Sequence, residues 1–267
     1  MIATTTQKIL LHNTHHNTYR CMCKNILAHK PDEWAVEIQP VHKNLFALYQ
    51  NVRPDIVFLP VAEYTQEFHD FINEYHQNTS IFLLIDRPVN HGELCRFWKN
   101  TNTKMIVDSQ HAQQYIDYRH LLFDRLYDHE VFNNQKRPRN DKIAVILSSG
   151  SSANEFLHDW LYPQNTQSNL VLFNNPEFKH PQNIGIFNGP DLNVLLNTFA
   201  GLIDIDNQFG LEAKACDIPN IDHGRIEHIN NITEYPLKET YDSVNLTEAS
   251  YQYFVQNHLI PFWKTGA

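Results

Sequence analysis

Short unbroken aliphatic runs, spaced by longer amphipathic stretches, set the rhythm of this chain. KILLHN (8–13), EWAVEIQP (33–40), RPDIVFLP (53–60), SIFLLID (80–86) and TKMIVD (103–108) are rich in Ile, Leu, Val or Phe and show little alternation. A run of that kind suits a parallel strand buried on both faces. The intervening segments 17–30, 43–52, 63–77, 90–99 and 109–117 read as helices. Strand and helix in regular succession predict βαβ units and a parallel sheet.

The rhythm breaks at FNNQKRPRNDK (132–142), which is polar and basic after Phe132 and reads as an exposed linker. It then restarts. KIAVILSS (142–149), NLVLFNN (169–175), NIGIFNG (183–189), GLIDID (201–206) and IPNID (218–222) read as strands. The segments 152–163, 190–200 and 209–217 read as helices, the second with Pro190 in its first turn, where the missing N–H costs nothing. A last helix is expected over 247–264, with Tyr251, Phe254 and His258 on one face. It either docks on the second half or crosses back to the first. The expected organisation is an α/β domain over 1–131, a linker over 132–141, a second α/β domain over 142–245, and a closing helix over 246–267.

Composition narrows the class. The 267 residues are 42% hydrophobic, which is enough for ordinary globular cores. No apolar run approaches the roughly 20 residues needed to span a bilayer. The N-terminus does not read as a secretory signal. Four cysteines in a chain this long make no disulfide framework, so a reduced, cytoplasmic protein is expected. A net charge of −9 argues against nonspecific nucleic-acid binding, which needs a basic footprint.

One segment raises a sharper question. In FGLEAKACDIPNID (209–222) a carboxylate, Glu212, sits one turn into a helix, followed by the small residues Ala213, Ala215 and Cys216 and a stop at Pro219. This resembles the donor-binding domain of GT-B glycosyltransferases, in which a Glu is followed by Ala, a small residue, Cys or Ala, Gly, Ile or Leu, Pro and Val. Here Glu212, Ala213, Ala215, Cys216, Ile218 and Pro219 match, and Asp217 stands at the usual Gly. LLFDRLYDHEVFNN (121–134) resembles the family's passage between domains. The likeness covers most of the chain in rhythm and residues 204–222 in identity.

The resemblance implies two Rossmann-like domains facing a cleft, with a nucleotide-sugar bound on the second. Glu212 would accept the ribose hydroxyls. A carboxylate can take two hydroxyl donors at once, and a helix N-terminus favours its charge. Many members carry two acidic residues eight positions apart. Asp204 stands in that relation to Glu212, and Asp206 is the other candidate. Basic residues to clamp the diphosphate are not evident, and HNTHHNTYR (12–20) replaces the usual Gly-rich first loop.

Further candidates follow from position. Ser148, Ser149, Gly150 and Ser151 lie between a strand and a helix start, where consecutive N–H groups suit a phosphate or a Ser simply caps the helix. The Lys of a P-loop is absent. Phe187, Asn188 and Gly189 fall where the family cradles the base, and equally where Asn and Gly make turns. Asp86 and Arg87 end the fourth strand at the carboxyl edge, Asp86 as base toward an acceptor and Arg87 as stabiliser of the leaving diphosphate, or as a turn pair before Pro88. His91 is on the same loop. His12, His15 and His16 straddle a strand-to-helix turn without zinc spacing, so no metal is expected. His15 or His16 is expected to be an acid/base or to contact the acceptor or a phosphate, with Arg20 adding charge.

The leading expectation is a metal-independent glycosyltransferase without resident cofactor. Its partners would be a nucleotide-sugar donor and a glycan or lipid-linked acceptor, with the basic KRPR (136–139) available to a membrane surface. Synthesis of bacterial surface polysaccharide is the setting suggested by analogy. The alternatives are a related epimerase or polyol-phosphate transferase, with histidines including His180 over the diphosphate, and a noncatalytic nucleotide-sugar-binding subunit.

Overall fold

The computed structural model describes residues 6–13, 17–40, 44–61, 66–85, 103–108, 120–147, 170–173, 183–205, 208–222 and 243–265. Contacts divide the chain into two compact units, 1–126 with 251–267, and 127–250.

The first unit is built on a sheet of six described strands: β1 (Gln7–Asn13), β2 (Trp34–Pro40), β3 (Ile56–Pro60), β4 (Ser80–Ile85), β5 (Lys104–Asp108) and β6 (His120–Phe123). Their order is β2-β1-β3-β4-β5-β6, and every described pairing is parallel. The strands read as continuous apolar runs because both faces are covered. Ile9, Leu11, Phe58, Phe82, Leu84 and Ile106 point to one face. Leu10, Val57, Leu59, Leu83, Met105 and Val107 point to the other. Helix α1 (Asn17–His29) lies on the first face through Tyr19, Met22 and Ile26. Helices α2 (Leu45–Val52) and α3 (Gln66–Tyr75) bring Leu45, Leu48, Phe71 and Ile72 to the second.

The chain's last helix completes the first face. Tyr251, Phe254, Val255, Leu259, Ile260 and Trp263 join the cluster beneath α1. The Trp263 ring meets Phe58 and Phe82 at 5.3 Å and Trp34 at 5.8 Å. The helix is not uniform. It runs as α6 (Tyr251–Phe254), a π turn (Val255–Leu259) and α7 (Ile260–Thr265). Pro261 gives a reason for the wide turn. A proline has no N–H and its ring crowds the carbonyl four residues back, and widening the preceding turn relieves that crowding. The amide of Ile260 accordingly donates to the carbonyl of Val255.

The second unit carries β7 (Ile143–Ile146), β8 (Leu170–Phe173) and β9 (Gly201–Asp204) in the parallel order β8-β7-β9. The strands expected over 183–189 and 218–222 reduce to single bridges, Asn183 beside Leu172 and Asn220 beside Leu202. Gly185 at φ 110° breaks the first extended segment, and Pro219 removes an N–H from the second. With those bridges counted, the chain-order sequence across the sheet is third, second, first, fourth, fifth, with its reversal between β7 and β9. Helix α4 (Gly189–Leu196) covers one face through Leu192 and Leu196. Helix α5 (Gly210–Ala215) adds Ala213, and the chain beyond it adds Cys216 and Ile218.

The segment expected as an exposed linker is described over its whole length. It is exposed at Asn133, Asn134, Lys136, Arg137 and Pro138, yet it is fastened along its length. Asn193 and Asn197, one turn apart on α4 and at its end, accept the N–H groups of Asn133 at 3.2 Å and Gln135 at 2.7 Å. The Asn197 amide donates back to the Asn133 carbonyl at 2.9 Å. Backbone hydrogen bonds need no apolar residue, so composition gave no sign of the fastening.

Candidate functional site

In an open parallel sheet, ligands bind beyond the carboxyl ends of the strands, where the strand order reverses. In the second unit that point lies after β7 and β9. Strand β9 ends at Asp204, and the chain turns through Gln208 and Phe209 into α5, which carries Glu212 in its first turn. Glu212 is half-buried. Ala213 and Cys216 are the small residues that let α5 lie close to the sheet, both fully buried, whereas Ala215 is partly exposed and takes no part in that contact.

The end of α5 explains why the helix stops. The Ile218 N–H reaches the Ala213 carbonyl at 3.0 Å, the Asp217 N–H reaches that of Lys214 at 3.0 Å, and Asp217 sits at φ 56°. This is the Schellman arrangement, with Asp at the left-handed position that Gly usually fills. The helix therefore ends at Ala215, four residues before Pro219, and the left-handed turn at Asp217 rather than the proline stops it. Arg139 binds the carbonyls just beyond the helix, donating to Cys216 at 2.9 Å and Asp217 at 2.6 Å, and also to Phe199 at 3.1 Å. The basic cluster KRPR thus has one member, Arg139, bound into the scaffold.

Asp204 is 1% exposed. Its Oδ1 accepts the Gln208 N–H at 3.0 Å and its Oδ2 accepts the Phe209 N–H at 2.5 Å. The eight-residue acidic spacing is therefore split, with Glu212 half-open and Asp204 bound to the turn between them. Phe187 is half-buried against the core, its ring 6.3 Å from that of Phe173 and nearly perpendicular to it. Asn188 occupies the N-cap position of α4, exposed, and its side chain does not cap. Gly189 follows at φ 50°, a left-handed conformation in which a side chain is strained.

Tyr127 was not singled out from sequence. It is buried, and its phenol is pushed above its ordinary range first by burial and then by the neighbouring Cys216 and Glu212. Cys216 is pushed up to about 12 by burial and then by Glu212, with Arg139 opposing. Tyr127, Cys216, Arg139 and Glu212 thus share one neighbourhood. Arg139 and its carbonyl partners are 60 to 78 residues apart, so nothing local in KRPR announced the pairing. The asparagine pair of α4 left a trace, since Asn193 and Asn197 stand one residue beyond Leu192 and Leu196 on the buried side.

Asp86, Arg87, His16, Ser148, Ser149, Gly150, Ser151 and Asp206 lie outside the described residues, as do His15, His91, His180, Asn174 and Asn175. In the first unit the reversal falls between β1 and β3. There Arg20 is exposed one turn into α1, 3.4 Å from the Asn17 side-chain oxygen, and Tyr19 turns inward to donate to the Phe58 carbonyl. A pocket of about 540 Å³ lined by Thr6, Gln7, Glu33, Trp34, Asp55 and Lys264 lies at the opposite, amino edge of the strands. Its charges are already engaged, Glu33 with Lys264 at 3.0 Å and Asp55 with the Lys8 N–H at 2.8 Å. Among the described residues no group of three or more His, Cys, Asp or Glu is placed to hold a metal ion, and no helix is long and apolar enough to cross a membrane.

No family model matches this chain, and no curated protein matches it.

Proposed function

We propose that the protein is a glycosyltransferase of GT-B type that takes a nucleotide-sugar on its second unit and an acceptor glycan or lipid-linked glycoconjugate on its first. The observation that carries this reading is the place of the half-buried Glu212, on the first turn of the helix that follows β9 at the reversal of the sheet. That is where a nucleotide ribose would meet it. The transfer is a displacement at the anomeric carbon. The acceptor oxygen forms the new C–O bond, the bond to the diphosphate breaks, and the diphosphate leaves with the electron pair. Asp86 is assigned to receive the acceptor's proton, Arg87 and His16 to face the leaving diphosphate, and the 148–151 loop to hold phosphate. No metal is required by this scheme.

The test is thermal unfolding of the whole chain with UDP, GDP, ADP and CMP, and with Glu212→Gln alongside. A ligand that binds only the folded state at 100 times its Kd adds about 2.7 kcal/mol of stability. One nucleotide should raise the melting temperature. Glu212→Gln should weaken its binding about 10- to 100-fold, the value of hydrogen bonds to a charged acceptor. No shift with any nucleotide would sink the reading. A shift that depends on Glu212 without release of sugar in the presence of acceptors would assign a binding subunit instead.

A further inference from the structure

A carboxylate buried as deeply as Asp204 costs a great deal in desolvation unless donors are supplied. Both of its oxygens have one, and both donors are backbone amides of the turn that starts α5, Gln208 and Phe209. The first amides of a helix have no partner within it. The N-cap residue of α5 is Phe209, whose side chain offers no acceptor. Asp204 therefore ties the two amides that lead into α5, those of Gln208 and of the N-cap residue Phe209, to the end of β9, and it sets a negative charge near the positive end of the helix dipole. The far end of α5 is fixed by the Asp217 turn and by Arg139. A helix of six residues is too short to hold itself in shape, so these outside groups set its place.

We infer that Asp204 is a positioning residue for Glu212: its two carboxylate oxygens fix the start of α5 so that the Glu212 carboxylate is presented beyond the carboxyl edge of the sheet, and Asp204 itself does not touch the ligand. This rests on the ribose role proposed for Glu212. It divides the acidic pair between two tasks, one residue in the scaffold and one at the ligand. The charge requirement is specific. An asparagine at 204 keeps the shape but has a single acceptor oxygen, and its NH₂ opposes the second backbone N–H.

The experiment compares the full chain with Asp204→Asn, Glu212→Gln and the double variant. Amide hydrogen exchange is followed over 201–216, and the ratio of ribo- to 2′-deoxynucleotide affinity is measured with UDP, GDP, ADP, CMP and their 2′-deoxy counterparts. In Asp204→Asn the amides of Gln208, Phe209 and α5 should exchange on the order of tenfold faster, while those of β7 hold. The ratio should fall on the order of tenfold, to the level of Glu212→Gln. In the Glu212→Gln background Asp204→Asn should add nothing, since a residue acting through another has no effect once that other is gone. Unchanged exchange at α5, an unchanged ratio, or effects that multiply in the double variant would each overturn the inference. If Asp204→Asn does not fold, unprotected Gln208 and Phe209 amides in the unaltered protein would overturn it, and protected ones would uphold it. Indifference of the unaltered protein to every nucleotide would sink the ribose role alone, and the exchange rates would still decide whether Asp204 fixes α5.

Discussion

At the scale of residues, the second unit is governed by polar groups held where water does not reach. Cys216 is fully buried, its thiol donating to the Asn193 side-chain oxygen at 3.1 Å. Its ionisation is pushed up to about 12 from an ordinary 9.0, chiefly by burial. Cys23 in the first unit is pushed to the same range, again chiefly by burial. The consequence for stability has a definite sign. Below pH 9 both the folded and the unfolded thiol keep their proton, and the full stability is present. From there to about pH 12 the unfolded chain ionises and the folded one does not, so each thiol takes away about 1.4 kcal/mol per pH unit. Denaturant titrations between pH 9 and 11 should show this slope, and Cys216→Ala should remove about 1.4 kcal/mol per pH unit of it. A slope unchanged by that substitution would mean the thiol is not held neutral by the fold.

At the scale of elements, β9 packs closely against the chain that returns after α5. A Cβ on Gly201 would lie 2.6 Å from the Ile221 Cδ1. Both residues are fully buried, so Gly201→Ala forces the isoleucine to move inside a packed core and should cost about 1–3 kcal/mol. Ile221→Val removes the offending methyl. The double variant Gly201→Ala with Ile221→Val should therefore be more stable than the sum of the two single changes requires, measured by chemical denaturation. Strict additivity would show that the clash is relieved elsewhere. Strands β1, β3, β4 and β5 were legible because burial on both faces leaves an unbroken aliphatic run. The short pairings at Asn183 and Asn220 were read as full strands because their aliphatic residues look the same in sequence. What limits them is Gly185 at positive φ and Pro219 without its N–H.

At the scale of the whole molecule, the chain's last helix belongs with its beginning. Residues 251–265 are separated from β1 by most of the sequence, yet Trp263 is in contact with Trp34, Phe58 and Phe82. Lys264 pairs with Glu33 at 3.0 Å and lies 6.0 Å from the Trp34 ring centre. The first face of the sheet is thus covered in part by a helix that lies more than 200 residues beyond β1 and β2 in sequence. Trp263→Ala should cost about 3–5 kcal/mol, the usual cost of emptying a large aromatic site. Calorimetry of the variant checks this. A loss near 1 kcal/mol would mean that the remaining side chains collapse into the space.

The sequence by itself determined the α/β class, the parallel sheets, and the place of Glu212 on a short helix after a buried strand. These are local facts, since period, apolar run length and the residues flanking a turn are written within a few positions of one another. Only the tertiary structure decided that Asp204 holds the turn into α5, that Arg139 binds the carbonyls just beyond its far end, that the 132–140 segment is fastened to α4, and that the last helix serves the first unit. Each of these depends on a donor and an acceptor, or two apolar surfaces, meeting across a gap in sequence. Asp204 and Glu212 are the same kind of residue eight positions apart. What separates their surroundings is burial and the direction of two backbone amides, and those exist only once the chain has folded.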